Sequence, residues 1–153
     1  MGILNKYKAE EAPLSIVQEP VVAYGYQNTN QQYFIIDRIK KGISYACFAE
    51  VLTDSPFTLS DWSNFLHLTD RTLLRYKLEN KSFESIYAEK IIELTILIKK
   101  GIETFGNKEK FKRWLQNNNI ALGSHTPKEL LITSVGIQIV MQELLNIDYG
   151  ILA

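Results

Sequence analysis

The chain of 153 residues contains one cysteine, two histidines and no excess of either charge. A lone Cys47 cannot close an internal disulfide and fits a reducing compartment, so a cytoplasmic location is expected. With His67 and His125 it makes up the whole set of soft metal ligands. None of the three has a partner at zinc spacing, and no metal site is expected. A Gly-rich phosphate loop, a nucleophile elbow and an HExxH pair are all missing, so the chain is read as a non-enzyme with no catalytic residue and no cofactor. Cys47 sits in the apolar run Tyr-Ala-Cys-Phe-Ala, which suits core packing; His67 precedes a turn and His125 a helix, and both suit ordinary surface or turn roles. Seventeen basic and seventeen acidic side chains leave no global positive field. The longest apolar run, residues 91–98, is short and contains Glu93, which excludes a membrane span. The opening Met-Gly-Ile-Leu-Asn-Lys-Tyr-Lys lacks the apolar core of a signal peptide and the position-six hydroxyl of a myristoylation site.

What is present is the composition of a folded protein: 46% hydrophobic and 22% charged, enough for one domain or two small ones sharing a core. Charge is unevenly spread. Residues 37–113 carry fourteen basic and eleven acidic groups, whereas residues 114–153 carry one lysine and three acids. Pro13, Pro20, Gly25 and the polar run 27–32 break any long helix in residues 1–33. We read that segment as an arm, mobile or lying along the core or a neighbouring subunit. From about residue 34 the apolar periodicity is helical, and an all-α fold of seven or eight helices is expected.

One helix is expected over 44–53. Another begins after Thr58, whose hydroxyl can cap while Asp61 reaches back, with Leu59, Trp62 and Leu66 on one face. Thr69 can cap a helix over 70–80 after only three intervening residues, which is helix-turn-helix spacing. Leu73, Leu74 and Leu78 are read as its inner side, and Arg71, Thr72 and Arg75 as its outer side. Guanidinium groups so placed suit phosphates and guanine edges. Two ordinary surface arginines on a solvated helix face are the other reading of the same pattern.

Phe83, Tyr87, Ile91, Leu94, Ile98, Ile102 and Phe105 form one stripe along a long helix over 83–105, and Ile92 and Ile96 widen it. Gly101 leaves room for a second helix to approach. Beyond it, Asn107 can cap a helix bearing Phe111, Trp114 and Leu115. Thr126-Pro127-Lys128-Glu129 is a capping box with proline at the first helical position, and Ser134 can cap a last helix. Trp62, Leu66, Leu73, Leu94, Ile98, Trp114, Leu115, Leu130 and Met141 are expected to be buried. The apolar end, Tyr149-Gly150-Ile151-Leu152-Ala153, either covers the core or serves as a docking peptide.

Phe105-Gly106, Phe111-Lys112-Arg113-Trp114-Leu115 and Asn119-Ile120-Ala121-Leu122-Gly123 resemble the signature of the Xre/MbcA/ParS-type antitoxin toxin-binding domain. Thr126-Pro127, Leu130-Leu131, Gly136 and Tyr149-Gly150 continue the pattern. Residues 69–75 resemble the recognition helix of that family's Xre-like helix-turn-helix. Tyr76-Lys77 stand where the family tends to carry further arginine, and Asn117-Asn118 replaces a proline-containing turn. The resemblance covers about residues 58–153. It implies an Xre-like helix-turn-helix bundle joined by a long central helix to a small helical toxin-binding domain. The expected units are an arm (1–33), a helix-turn-helix domain (34–82), a connecting helix (83–106) and a toxin-binding domain with its tail (107–153).

The resemblance further implies a type II antitoxin that blocks the active site of a cognate RES-domain toxin, which consumes NAD, and that represses its own operon. Arg71, Thr72, Arg75 and Lys77 are the candidate contacts to operator DNA. Trp114, Tyr149, Gly150, Ile151, Leu152 and Ala153 are the candidate contacts to the toxin. Few cations per copy mean weak, salt-dependent DNA binding by a monomer, so a homodimer or a hetero-oligomer with toxin is expected. A helix-turn-helix regulator without a cognate toxin is the alternative.

Overall fold

The computed structural model describes residues 29–150; most of the N-terminal arm and the tail residues Ile151, Leu152 and Ala153 lie outside the described residues. The first helix, α1 (Thr29–Lys41), begins inside the Gln/Asn run that the sequence reads as helix-breaking. Tertiary contact decides the matter, because Phe34, Ile35 and Ile39 pack on the core and a short polar helix gains most of its stability that way. There follow α2 (Tyr45–Asp54), α3 (Leu59–Phe65), α4 (Asp70–Glu79) and α5 (Ser85–Phe105). The chain continues through α6 (Lys108–Gln116), a 3-10 turn (Ile120–Leu122), the single-turn α7 (Pro127–Leu130) and α8 (Ser134–Asp148). Among the described residues no strand forms, and the fold is all-α.

The helix starts follow hydroxyl and amide chemistry. Both arms of the Thr58/Asp61 and Thr126/Glu129 capping boxes are made, and Thr69 and Asn107 cap as expected. At α8 the cap is Thr133, not Ser134, because the Thr133 side chain accepts from the Gly136 amide and Ser134 is already helical. Phe83 also departs from expectation. It precedes α5 and exchanges backbone hydrogen bonds with Ile43, of 2.7 and 3.2 Å, which anchors the entry to α2 beside the entry to α5.

The N-terminal half of the core is aromatic. Phe48, Phe57, Trp62, Phe65 and Phe83 meet mostly edge to face, with ring centroids 4.9–6.3 Å apart. The buried indole N–H of Trp62 donates to Ser55 Oγ at 3.1 Å. Of the nine residues expected inside, Trp62, Leu66, Leu73, Leu94, Ile98, Leu115 and Met141 are buried, and Trp114 and Leu130 are half-buried against the core.

Residues 94–98 of α5 are buried without interruption, since α1, α6 and α8 all pack on this helix. It is therefore the shared core of the molecule rather than a spacer. A side chain at Gly101 would run into the Phe111 ring, so glycine is what lets α6 lie against α5. Helix α8 runs parallel to α5. Ser134 at its start bonds Glu93, and Asp148 at its end pairs with Lys100. Both helices consequently finish at the same pole.

Candidate functional site

Helices α3 and α4 are joined by Leu66, His67, Leu68 and Thr69, and several contacts fix their mutual angle. The Leu68 amide donates to Ser63 O at 2.9 Å, and the Ser63 hydroxyl bonds the Asp70 carboxylate at the start of α4. His67 takes a left-handed backbone (φ 55°), a conformation uncommon for a residue with a side chain. Its Nε2 donates to Ile132 O at 3.1 Å, and Lys90 Nζ donates to the same carbonyl at 3.1 Å. The turn is thereby bound to the segment between α7 and α8.

The inner face of α4 consists of Leu73 and Tyr76, one turn apart and both buried. This corrects the assignment of Leu74 and Leu78 to the inner side. Leu74 is 46% exposed and Leu78 86% exposed. At 100° per residue, positions 71, 74, 75 and 78 form one face, and Tyr76 takes the inner place because its ring packs on Phe83 at 5.0 Å. Arg71, Arg75 and Lys77 are exposed, and no ion pair holds any of them among the described residues. Thr72 is half-buried, with its hydroxyl 2.9 Å from that of Thr69, so it completes the cap. Lys81 lies over the Tyr76 ring at 4.7 Å. The leucines at the outer face were missed by sequence reasoning, although their i, i+3, i+7 spacing from Arg71 was readable.

At the opposite pole, Trp114 packs its ring against Phe105 at 5.3 Å and Phe111 at 6.2 Å. Half of Trp114 is therefore core. Tyr149 caps α8 and is 62% exposed, and Gly150 follows with φ +65° in open space. The C-terminal turns of α5 bring Trp114 and Tyr149 to one end of the molecule, through Phe105 on one side and the Lys100–Asp148 pair on the other. Ile151, Leu152 and Ala153 lie outside the described residues. Ile120, 91% exposed, projects from the 3-10 turn, which is held by the Asn119 side chain accepting from the Ala121 amide at 2.9 Å.

The two surfaces are electrostatically linked by Asp61 and Lys128, 2.8 Å apart. Burial pushes the Asp61 carboxyl up, but hydrogen bonds from Lys128 and from the Thr58 backbone outweigh it and hold the group below its usual range. Burial raises Glu93 and lowers Lys90 near the same junction. Among the described residues, no group of three or more His, Cys, Asp or Glu is arranged to hold a metal ion, and no helix is long and apolar enough to cross a membrane.

Residues 100–150 match the family model of the antitoxin Xre/MbcA/ParS C-terminal toxin-binding domain. The matched region runs from the last turn and a half of α5 through α8 to Gly150, and so takes in Trp114, the 3-10 turn, α7 and Tyr149-Gly150. This match supports an antitoxin role and a toxin as partner. No curated protein matches the chain.

Proposed function

We propose that this protein is the antitoxin of a type II toxin-antitoxin pair, that it neutralises a cognate NAD-consuming RES-domain toxin by binding at its active site, and that it represses its own operon through α3 and α4. The observation that carries the reading is the toxin-binding family match at residues 100–150, in a chain that also carries a helix-turn-helix with Arg71 and Arg75 exposed. Tyr149 and Gly150 support docking at a pocket, being an exposed aromatic group followed by a residue with wide backbone freedom. Trp114 serves this role through its exposed half.

Operator binding depends on a few cations per copy: Arg71, Arg75, Lys77 and the flanking Lys81. So few phosphate contacts make binding weak and salt-dependent for one copy, whereas two copies on half-sites about one DNA turn apart double them. A homodimer or a hetero-oligomer with toxin is accordingly the repressing species.

Co-expression with the product of the adjacent gene tests the reading. A co-purifying complex and preserved cellular NAD are expected. NAD loss that this protein does not slow, with no complex formed, would overturn the toxin assignment and leave a helix-turn-helix regulator.

A further inference from the structure

The outer face of α4 is not the polar surface that a solvated helix would present. Arg71, Leu74, Arg75 and Leu78 stand at i, i+3, i+4 and i+7, all exposed, with one leucine bracketed by two guanidinium groups. Of the two carboxylates next to the face in sequence, Asp70 is engaged by the Ser63 hydroxyl at the helix start, and Glu79 is exposed at the last residue of the helix, one turn beyond Arg75. Lys77 and Lys81 are also exposed, so with Arg71 and Arg75 the cations around the face outnumber its acids, Asp70 and Glu79. An apolar stripe inside a cationic rim calls for a partner that is anionic outside and offers small apolar groups within. Duplex DNA is such a partner. In its major groove the thymine C5-methyl is the apolar feature, and guanine N7 and O6 accept from arginine. The scale also agrees, since the seven residue steps from Arg71 to Leu78 rise about 10 Å, close to three base-pair steps of about 3.4 Å.

Resting on the DNA-binding reading above, we infer that Leu74 is a specificity-determining residue that packs on a thymine methyl between the bases taken by Arg71 and Arg75. Each half-site then holds a thymine within a base step or two of guanine. Leu78, one turn further on, extends the apolar contact along the groove. The surface is used by DNA and not by a second copy of the chain.

The test begins with the full-length protein and a library of randomised DNA duplexes, from which the tightest binder is taken. Its thymines are then replaced one at a time by deoxyuridine, which removes only the methyl group. At one position of each half-site, wild-type affinity is expected to fall roughly fourfold, the worth of one buried methyl-sized group. Leu74→Ala is expected to bind the thymine duplex more weakly by a similar factor and to ignore the same replacement. Wild-type indifference to every deoxyuridine, or a Leu74→Ala protein that keeps the full sensitivity, would overturn the inference while leaving DNA binding in place. Failure of the wild type to retain any duplex, or equal retention by Arg71→Ala/Arg75→Ala, would overturn the DNA-binding reading and the inference with it. A lower mass for Leu74→Ala in sedimentation, with unchanged DNA affinity, would assign the face to self-association and would also overturn it.

Discussion

Asp61 Oδ1 and Lys128 Nζ lie 2.8 Å apart, joining the first helix of the helix-turn-helix to the single-turn helix of the region that matches the antitoxin family model. With the His67 hydrogen bond to Ile132 O, this makes two polar ties from the helix-turn-helix to the segment from α7 to the start of α8, and Lys90 of α5 donates to the same Ile132 carbonyl. The Asp61 and His67 ties lie off α5, and Lys90 brings α5 itself, the helix that both regions share as core, to the same carbonyl. A displacement of the segment from α7 to the start of α8 therefore acts directly on α3 and on the turn before α4.

The Asp61–Lys128 pair gives a pH-dependent contribution to stability. Because the folded carboxyl titrates below its unfolded value of 3.8, the contribution is present above that value and is lost as the pH falls through the folded value. Lys128→Met removes the pair and leaves the Thr58 cap. It should cost up to about 1 kcal/mol at pH 7 in urea unfolding, and the difference from wild type should disappear once the pH has fallen below 3.8 and through the lowered folded value. Asp61→Ala also loses the hydrogen bond that the Thr58 amide donates to the carboxylate, the return arm of the capping box, and should cost about 1 kcal/mol more at neutral pH. Equal stability of Lys128→Met and wild type at pH 7 would show the pair to be without net effect.

Gly101 and Phe111 are a matched pair of small and large. Replacing a mid-helix glycine by alanine normally stabilises a helix by about 0.5–1 kcal/mol. Here Gly101→Ala should destabilise, since the new methyl meets the Phe111 ring, and overpacking costs about 1–3 kcal/mol. Phe111→Ala alone should cost about 3–5 kcal/mol. The double variant should be less destabilised than the sum of the singles, because the alanine at 101 enters space that the ring vacates. Additive losses in thermal unfolding would show that the two do not compete for one volume.

How much was legible follows from the range over which each feature is encoded. Thr58, Thr69, Asn107 and Thr126 announce helix starts because a cap is a bond between residues three apart. The burial of α5 is readable for a similar reason, as its stripe repeats over six turns. Helix α4 has fewer than three turns, and there the adjacent leucines 73 and 74 differ by 100°, so one of them had to face outward. Phe83 decides which, by packing on Tyr76, and that contact is tertiary. The start of α1 within a glutamine-rich run has the same origin. The site is less legible than the fold: Arg71 and Arg75 were found from spacing, but the ties of Asp61 to Lys128 and of His67 to Ile132 span about 65 residues and leave no local pattern.

Operator recognition should depend on Arg71 and Arg75 and not on the integrity of the fold. Both side chains are exposed, so replacing both by alanine should change unfolding free energy by no more than about 0.5 kcal/mol. Each well-placed arginine–base contact is worth about 1–3 kcal/mol, and losing two should abolish specific retardation of the operon's promoter DNA in a gel shift. Promoter affinity unchanged in the double variant would remove α4 from the interface.

Under the proposed function the tail and the α6–α7 region are competing locations for toxin inhibition, and truncation after Asp148 separates them. Helix α8 ends at Asp148, where the Lys100 pair fastens it to α5, and Tyr149 beyond it is largely exposed. Removing residues 149–153 should therefore lower the melting temperature by only a degree or two. Gel-shift affinity for the promoter should persist, since Arg71 and Arg75 lie at the other end of α5. Suppression of NAD loss by the co-expressed partner should disappear. A sharp fall in melting temperature would instead make the tail part of the core. A folded truncation that still protects NAD would move the inhibitory surface to α6 and the 3-10 turn, where the exposed edge of Trp114 and the projecting Ile120 become the contacts to replace next.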